Sequence, residues 1–444
     1  MTRAATSGRP IAPPARSGMG PAGAYGWVPL ALMAGLFFVI GFVTWLNGPL
    51  ISFVRVAFHL TDLNAFLVPM VFYLSYLLFS LPASAVARRT GLKRGLALAL
   101  VVMAAGVAIF AQFIAWQSYS GALAGLLVLG AGLALLQVAI NPYVSLLGPP
   151  ERAAQRIAIM GVCNKFAGMV APIVLGLLVM RDVGGVAARL AAAPDPETHR
   201  AILGGFTRAL HAPYLGMAIL LVIAAVVVLR SSLPDLEVET VNARLSGAAI
   251  PARLWPGIAV MFLYVGVEVM AGDAIGTYGQ GFGLPLDQTK FFTALTLGAM
   301  LAGYLLGLVV TPRLLSQERY MEVCCGLGAV LSVLAWAASG YVAVLLVALL
   351  GFANAMIIPA LFPMAIRGAG DRTALASSLL VMAFCGGAVM PQLFVALTPL
   401  CGFQAAFTLL VLPSYLAIMI YGLVLRRQGD TQVPVADTAA QAML

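Results

Sequence analysis

The hexapeptide WLNGPL, Trp45 to Leu50, sits inside an apolar run that extends from Trp27 to Val56. Asn-Gly-Pro is turn chemistry, because Gly tolerates positive φ and Pro has no amide hydrogen to donate. The rest of the run suits one continuous helix through a bilayer. A breaker at that depth leaves backbone groups unpaired where this is most costly. Irregular backbone is tolerated in a membrane where it lines a wet cavity, and broken helices commonly form transport sites there. The stretch therefore predicts an all-α integral membrane protein whose interrupted first span borders a central cavity.

Composition points the same way. Of the 444 residues, 62% are hydrophobic and 9% charged, whereas about a quarter of a soluble domain is charged. Apolar runs of about 20 residues recur, each long enough to cross about 30 Å of hydrocarbon. They fall at 27–56, 62–86, 95–116, 121–147, 155–180 and 212–230. A second set follows at 254–280, 288–311, 319–338, 341–366, 373–398 and 402–425. Twelve transmembrane helices thus form two six-helix bundles, 26–230 and 254–426, joined by a cytoplasmic linker at 231–253. The ends, 1–25 and 427–444, read as cytoplasmic tails. The first holds Arg3, Arg9 and Arg16 among Pro and Gly without the apolar region of a signal peptide, so it reads as disordered. In the longest loop, 181–211, Pro196 marks the start of a short helix.

With both termini cytoplasmic, eighteen basic residues face inward. Six face outward: Arg55, Arg181, Arg189, Arg200, Arg208 and Lys290. This positive-inside bias accounts for the net charge of +9 without a nucleic-acid partner. The five cysteines lack metal-ligand spacing and read as small core residues. His59, His199 and His211 are isolated in outer loops, and Trp27, Trp116 and Trp255 stand at span ends as interfacial anchors. With neither a Walker-type glycine loop nor a catalytic constellation, the chain is not read as an enzyme, and it calls for no metal or cofactor.

The hydrophilic residues that the spans do carry are candidates for function. Lys165 is the one basic residue inside a span, and Glu268 and Asp273 are the acids deep within one. Charges there need a partner or water, and are functional candidates by default. A shared pairing would serve proton coupling or simply lock the halves together. Five residues place the acids about 140° apart on a regular helix, so they cannot share one target. Glu268 is favoured as the proton carrier. Asn47, Gln137, Asn141, Asn164, Asn354, Tyr264 and Gln392 supply amides and a phenol at similar depth, suited to a neutral, hydroxyl-rich solute. Trp45 offers an aromatic face to a sugar ring, though lipid contact or packing would also explain it. The halves echo each other: Gln137 precedes Pro142 by five residues, and Asn354 precedes Pro359 by five.

The segments LLQVAINPYVSLLGP (135–149), FLYVGVEV (262–269), GFANAMIIPALFPMAIRG (351–368) and LLVMAFCGGAVMPQL (379–393) resemble the major facilitator superfamily. Within it they resemble the fucose–galactose–glucose:proton symporter family. GFVTWLNGPLISFVR, FLVPMVFYLSYLLFSLPAS and AAQRIAIMGVCNK look most like bacterial N-acetylglucosamine permeases. The resemblance implies inward, proton-driven uptake of a neutral sugar by alternating access across a bacterial inner membrane, by a monomer. N-acetylglucosamine is the leading substrate, with glucose, galactose or fucose as the alternative. A multidrug proton antiporter of the same fold is the rival of another class. The likeness matches Asn47, Asn141 and Asn164 to motif asparagines of the first, fourth and fifth spans, and Glu268 to a recurring seventh-span acid. Two acids of the fucose-type members are replaced by Gly48 and Gln137. Coupling is therefore sought at Glu268, Asp273 and Lys165. In the connection between spans two and three, Arg89, Gly91 and Lys93 match the superfamily's conformational loop, but Arg88 stands where its aspartate belongs.

Overall fold

A computed structural model of the chain describes residues 27–146, 153–233, 254–311, 314–366 and 373–430. The expected tail at 1–25 lies outside these residues, as do 234–253 of the linker, 431–444 and the side chain of Asn141. The described residues are helical throughout, with short turns between.

The first span is two pieces, α1 (Trp27–Thr44) and α2 (Asn47–Ala57), joined by a turn at Trp45 and Leu46. Pro49 falls in the first turn of α2, where a helix needs no amide hydrogen from it. The breaker thus starts a new helix. The bundle end at which α1 begins is the near end; α2 finishes at the far end.

A single turn, α3 (Asp62–Ala65), leads into α4 (Leu67–Thr90), and Gly91 with φ of 78° turns the chain into α5 (Leu92–Ala115). Next come α6 (Tyr119–Leu146) and α7 (Ala153–Leu178). α5 and α6 touch backbone to backbone at Gly106 and Gly125, where a Cβ would strike the neighbouring main chain. Small residues permit this approach in membrane helices. α8 (Val183–Ala191) precedes α9 (Pro196–Arg230). α9 starts at the expected Pro196 but is 35 residues long, continuing directly into the sixth span. Its start is firm because the Asp195 carboxylate accepts from the Glu197 and Thr198 amides.

The second half repeats the plan. α10 (Leu254–Gly272) and α11 (Ile275–Gln280) form a broken seventh span with its turn at Asp273 and Ala274. α12 (Leu286–Thr289), α13 (Phe292–Val310) and α14 (Gln317–Ala337) follow. α15 (Gly340–Asn354) and α16 (Ile357–Ile366) are bent by 42° about Ala355 and Met356. α17 (Thr373–Met382), a 3₁₀ turn at Ala383–Cys385 and α18 (Gly386–Cys401) make the eleventh span. α19 (Phe403–Asp430) completes the bundle and outlasts its expected end. Among the described residues, eleven segments are long and apolar enough to cross a membrane, or twelve with the bent pair counted as one span.

The halves pack through α7 against α13 and α4 against α17 and α18, with α2 against α11. Polar links between them gather at the far end. Arg55 donates to Gln280 while ion-paired with Asp62 at 2.7 Å. Buried Lys290 donates to the Met180 carbonyl, capping the C-terminal end of α7, and lies 3.1 Å from Asp287. Two other expectations are modified. His59 and His199 are not isolated from each other, since their Nε2 atoms are 2.9 Å apart. Cys401 is exposed, while Cys324 and Cys325 are core residues as expected.

Candidate functional site at the paired helix breaks

The Lys165 Nζ on α7 lies 2.7 Å from Glu268 Oε1 on α10, joining the two halves deep in the protein. Their side chains are 9% and 8% exposed. A buried pair of this kind is weak evidence for stability, because desolvation offsets most of the attraction. Its value here is its position across the joint between bundles. The same ammonium stands 4.8 Å from the centroid of the Trp45 ring, a cation–π distance.

Trp45 is 2% exposed. It fills the space left by two glycines, Gly168 on α7 and Gly272 at the end of α10, where any Cβ would collide with the indole. The indole is thus set between the halves, in the turn that interrupts span one. This placement is a packing contact between the halves.

Asn47 opens α2 and is buried, with Nδ2 unpaired. Thr44 at the end of α1 has an unpaired hydroxyl as well. Asp273, in the turn of the other broken span, is 1% exposed and neither carboxyl oxygen has a hydrogen-bond partner. A Cβ on Gly48 would lie 3.3 Å from Asp273 Cα and would strike Thr293 Oγ1. Glycine at this position lets the start of α2 rest against Thr293 of α13, with Asp273 of the seventh span close by. Thr296 Oγ1 donates to the Ala271 carbonyl at 2.9 Å, satisfying an acceptor that the break in α10 exposes.

The remaining predicted residues are dispersed. Half-buried Gln137 stands beside the Tyr76 hydroxyl. Asn164 Nδ2 donates to the Phe37 carbonyl at 3.3 Å, tying α7 to α1 within the first half. Asn354 accepts from Tyr415 through Oδ1 at 2.8 Å, and its carbonyl accepts from Tyr264 at 3.0 Å. Both phenols brace the break in span ten, where Met356 has φ of 62°. The fourth span shows no such break: α6 runs through Pro142, so the Gln137–Asn354 echo does not extend to backbone shape. Gln392 is at the far end, donating to the Leu63 carbonyl across the halves at 3.1 Å. In the loop between spans two and three, Arg89 is exposed, Gly91 makes the turn, and Lys93 donates to the Ser231 carbonyl at 2.7 Å beyond α9.

Sequence reasoning missed Gly168, Gly272 and Thr293. It also missed Tyr73 on α4, which lies within electrostatic reach of both Glu268 and Asp273. Glycines facing an indole leave no periodic signal, since each partner is distant in the chain. The described residues contain no cluster of three or more potential metal ligands.

The profile of the Major Facilitator Superfamily matches residues 33–391. A glucose/galactose transporter of Brucella abortus is 30% identical over 395 residues, covering 88% of this chain and 92% of that protein. The L-fucose-proton symporter of Escherichia coli is 24% identical over 388 residues, 85% of this chain and 86% of the symporter. Among solved structures, a Major Facilitator Superfamily transporter, FucP, in the outward conformation superposes with a TM-score of 0.73 at 21% identity. That match covers 90% of this chain and 99% of the other. The names of these relatives specify glucose/galactose and L-fucose, not the N-acetylglucosamine expected from the local likeness.

Proposed function

The chain belongs to the major facilitator superfamily and, within it, to the fucose–galactose–glucose:proton symporter family, and we propose that it imports a neutral hexose by proton symport. Glucose or galactose is the favoured solute, supported by the Brucella abortus relative. The E. coli relative named as a proton symporter supports the energy source. The protein works as a monomer, with both termini in the cytoplasm of a bacterial inner membrane. The far end, with Arg55 and Lys290, is then the outer end, as the charge bias requires.

The observation that carries this reading is the Lys165–Glu268 pair lying across the joint beside Trp45. Alternating access requires the halves to rock about the site. A charge pair across that joint must part or rearrange as they do. Sugar hydroxyls near Trp45, Asn47 and Gln137 replace hydrogen bonds that the pair gives up, and a proton on an acid neutralises what is left exposed to the core. Asn141 joins this set through its i,i+4 spacing from Gln137. Asn164, Asn354 and Tyr264 hold the helices that present these groups, and Gln392 belongs to the outer seal. Glu268, Asp273 and Lys165 form the coupling set, while Arg89, Gly91 and Lys93 steer the inner end.

N-acetylglucosamine is the second reading, supported by the local likeness of GFVTWLNGPLISFVR and AAQRIAIMGVCNK to its permeases. Proteoliposomes holding the purified protein test both readings. Labelled galactose should accumulate under an inward proton gradient and leak back when a protonophore is added. Excess unlabelled glucose should compete more strongly than N-acetylglucosamine or fucose. Uptake that merely equilibrates and ignores the protonophore removes proton coupling; the reverse order of competition restores N-acetylglucosamine.

A further inference from the structure

The outer pieces of the two broken spans, α2 and α11, form a pair held at both ends. At the far end Arg55, in the last turn of α2, donates to Gln280, the last residue of α11. Between the ends, a Cβ on Gly276 would lie 4.0 Å from Ser52 Oγ. At the deep end, the start of α2 presents the Gly48 amide toward the Asp273 carboxyl.

That carboxyl lacks what an ion needs. On its own span stands Glu268, already engaged by Lys165. From α4 comes Tyr73, from α13 the Thr293 side chain packed at Gly48, and from α2 an amide short of hydrogen-bonding geometry. Asp273 forms no ion pair among the described residues, and both oxygens are sealed from water without a hydrogen bond. A carboxylate is strongly disfavoured in such a place, and a neutral acid far less so.

The geometry points to Asp273 as the group that takes up a proton from outer water as the outer end closes and yields it toward the near end before the outer end reopens over the ionised carboxylate. This rests on the proton-symport reading and assigns the role that the sequence favoured for Glu268. When α2 parts from α11, water reaches the carboxyl and hydrates its ionised form. The closed state binds the proton more tightly than the open one, so proton uptake shifts the population toward closure. The step is a plain protonation: a proton leaves outer water, and an O–H bond forms on the carboxyl. Glu268 lies five residues toward the near end, about 7.5 Å along the helix, and is the next carboxylate inward.

A reporter of closure tests this without sugar. Ser52 is buried between α2 and α11, so Ser52→Cys, with exposed Cys401 replaced by Ser, should react with a membrane-impermeant maleimide only when the pair separates. In oriented vesicles, labelling should rise several-fold as pH increases from about 5 to about 8. Adding Asp273→Asn should make it low and flat across that range. Asp273→Glu should restore pH dependence, which also guards against a misfolded variant. Arg55→Gln should raise labelling at every pH while leaving its pH dependence in place. An Asp273→Asn reporter that keeps the parental pH dependence, or is labelled heavily at all pH values, overturns the assignment. Hexose counterflow by the parent protein is measured separately; its absence would sink the sugar reading and leave the labelling result standing.

Discussion

Glu268 and Asp273 stand five residues apart on the seventh span, and their surroundings are opposite. Glu268 has a lysine from the other bundle at 2.7 Å; Asp273 has two orphan oxygens and a glycine amide nearby. Position in a membrane span therefore does not make an acid functional in one particular way. The partner does: a matched cation makes a joint that holds charge, and its lack makes a site that holds charge poorly. The turn at Asp273 separates these circumstances, because α10 presents Glu268 to α7 while the break turns Asp273 toward α2.

The largest effect should come from removing one side of the pair. Lys165→Met leaves Glu268 buried and uncompensated and should destabilise the protein by about 3–5 kcal/mol. Thermal unfolding in detergent would show it, with sugar exchange lost as well. Lys165→Met combined with Glu268→Leu should recover most of that stability and none of the accumulation, because an apolar pair replaces a buried ion pair at little cost. If the single replacement leaves the melting temperature unchanged, the pair is not buried as described. Asp273→Asn should do the reverse, preserving the melting temperature while abolishing proton-driven accumulation and slowing sugar exchange through an outer end held shut.

Smaller effects sharpen the contrast through the packing that positions each acid. Gly168→Ala or Gly272→Ala forces a methyl group against Trp45 and should cost about 1–3 kcal/mol, read as a lowered melting temperature and weakened transport. Gly48→Ala should incur a similar penalty, and Thr293→Ala beside it should relieve part of it, a coupling measurable in a double-mutant cycle. If the two changes simply add, α2 does not rest on Thr293. Asp195 supplies the smallest effect and an exposed control. The Thr198 backbone and hydroxyl hold its carboxyl below the usual carboxylate range. Because the folded form is the weaker proton binder, the cap is intact at neutral pH and fades as pH falls through that range. Asp195→Ala should raise amide exchange in the first turn of α9 and leave transport unchanged.

Much of this fold was legible because a bilayer leaves few options. Apolar length and the positions of arginines reveal spans, and WLNGPL reveals the first break. A lone cation among few acids made a pairing of Lys165 legible, but whether its partner is Glu268 or Asp273 is visible only in the structure. Gln392 and Asn354 were misleading: each is an amide within a span, yet one seals the far end and the other is braced by two phenols. Amide chemistry suits a sugar and a helix carbonyl equally, and sequence depth does not tell them apart. The void of Asp273 was unreadable for a different reason. It consists of partners that are missing, and only the arrangement of neighbours from α2, α4 and α13 reveals this.

The seating of Trp45 has an optical consequence. Trp116, Trp255 and Trp336 are exposed on the outside of the bundle, whereas Trp45 alone among these is enclosed with an ammonium over its ring. Its emission should differ in colour and quenching from that of the lipid-facing indoles, and should respond when the bundles part at Lys165. The protein thus carries a built-in fluorophore at the joint between its halves, by which the proposed rocking can be tested without attaching a dye.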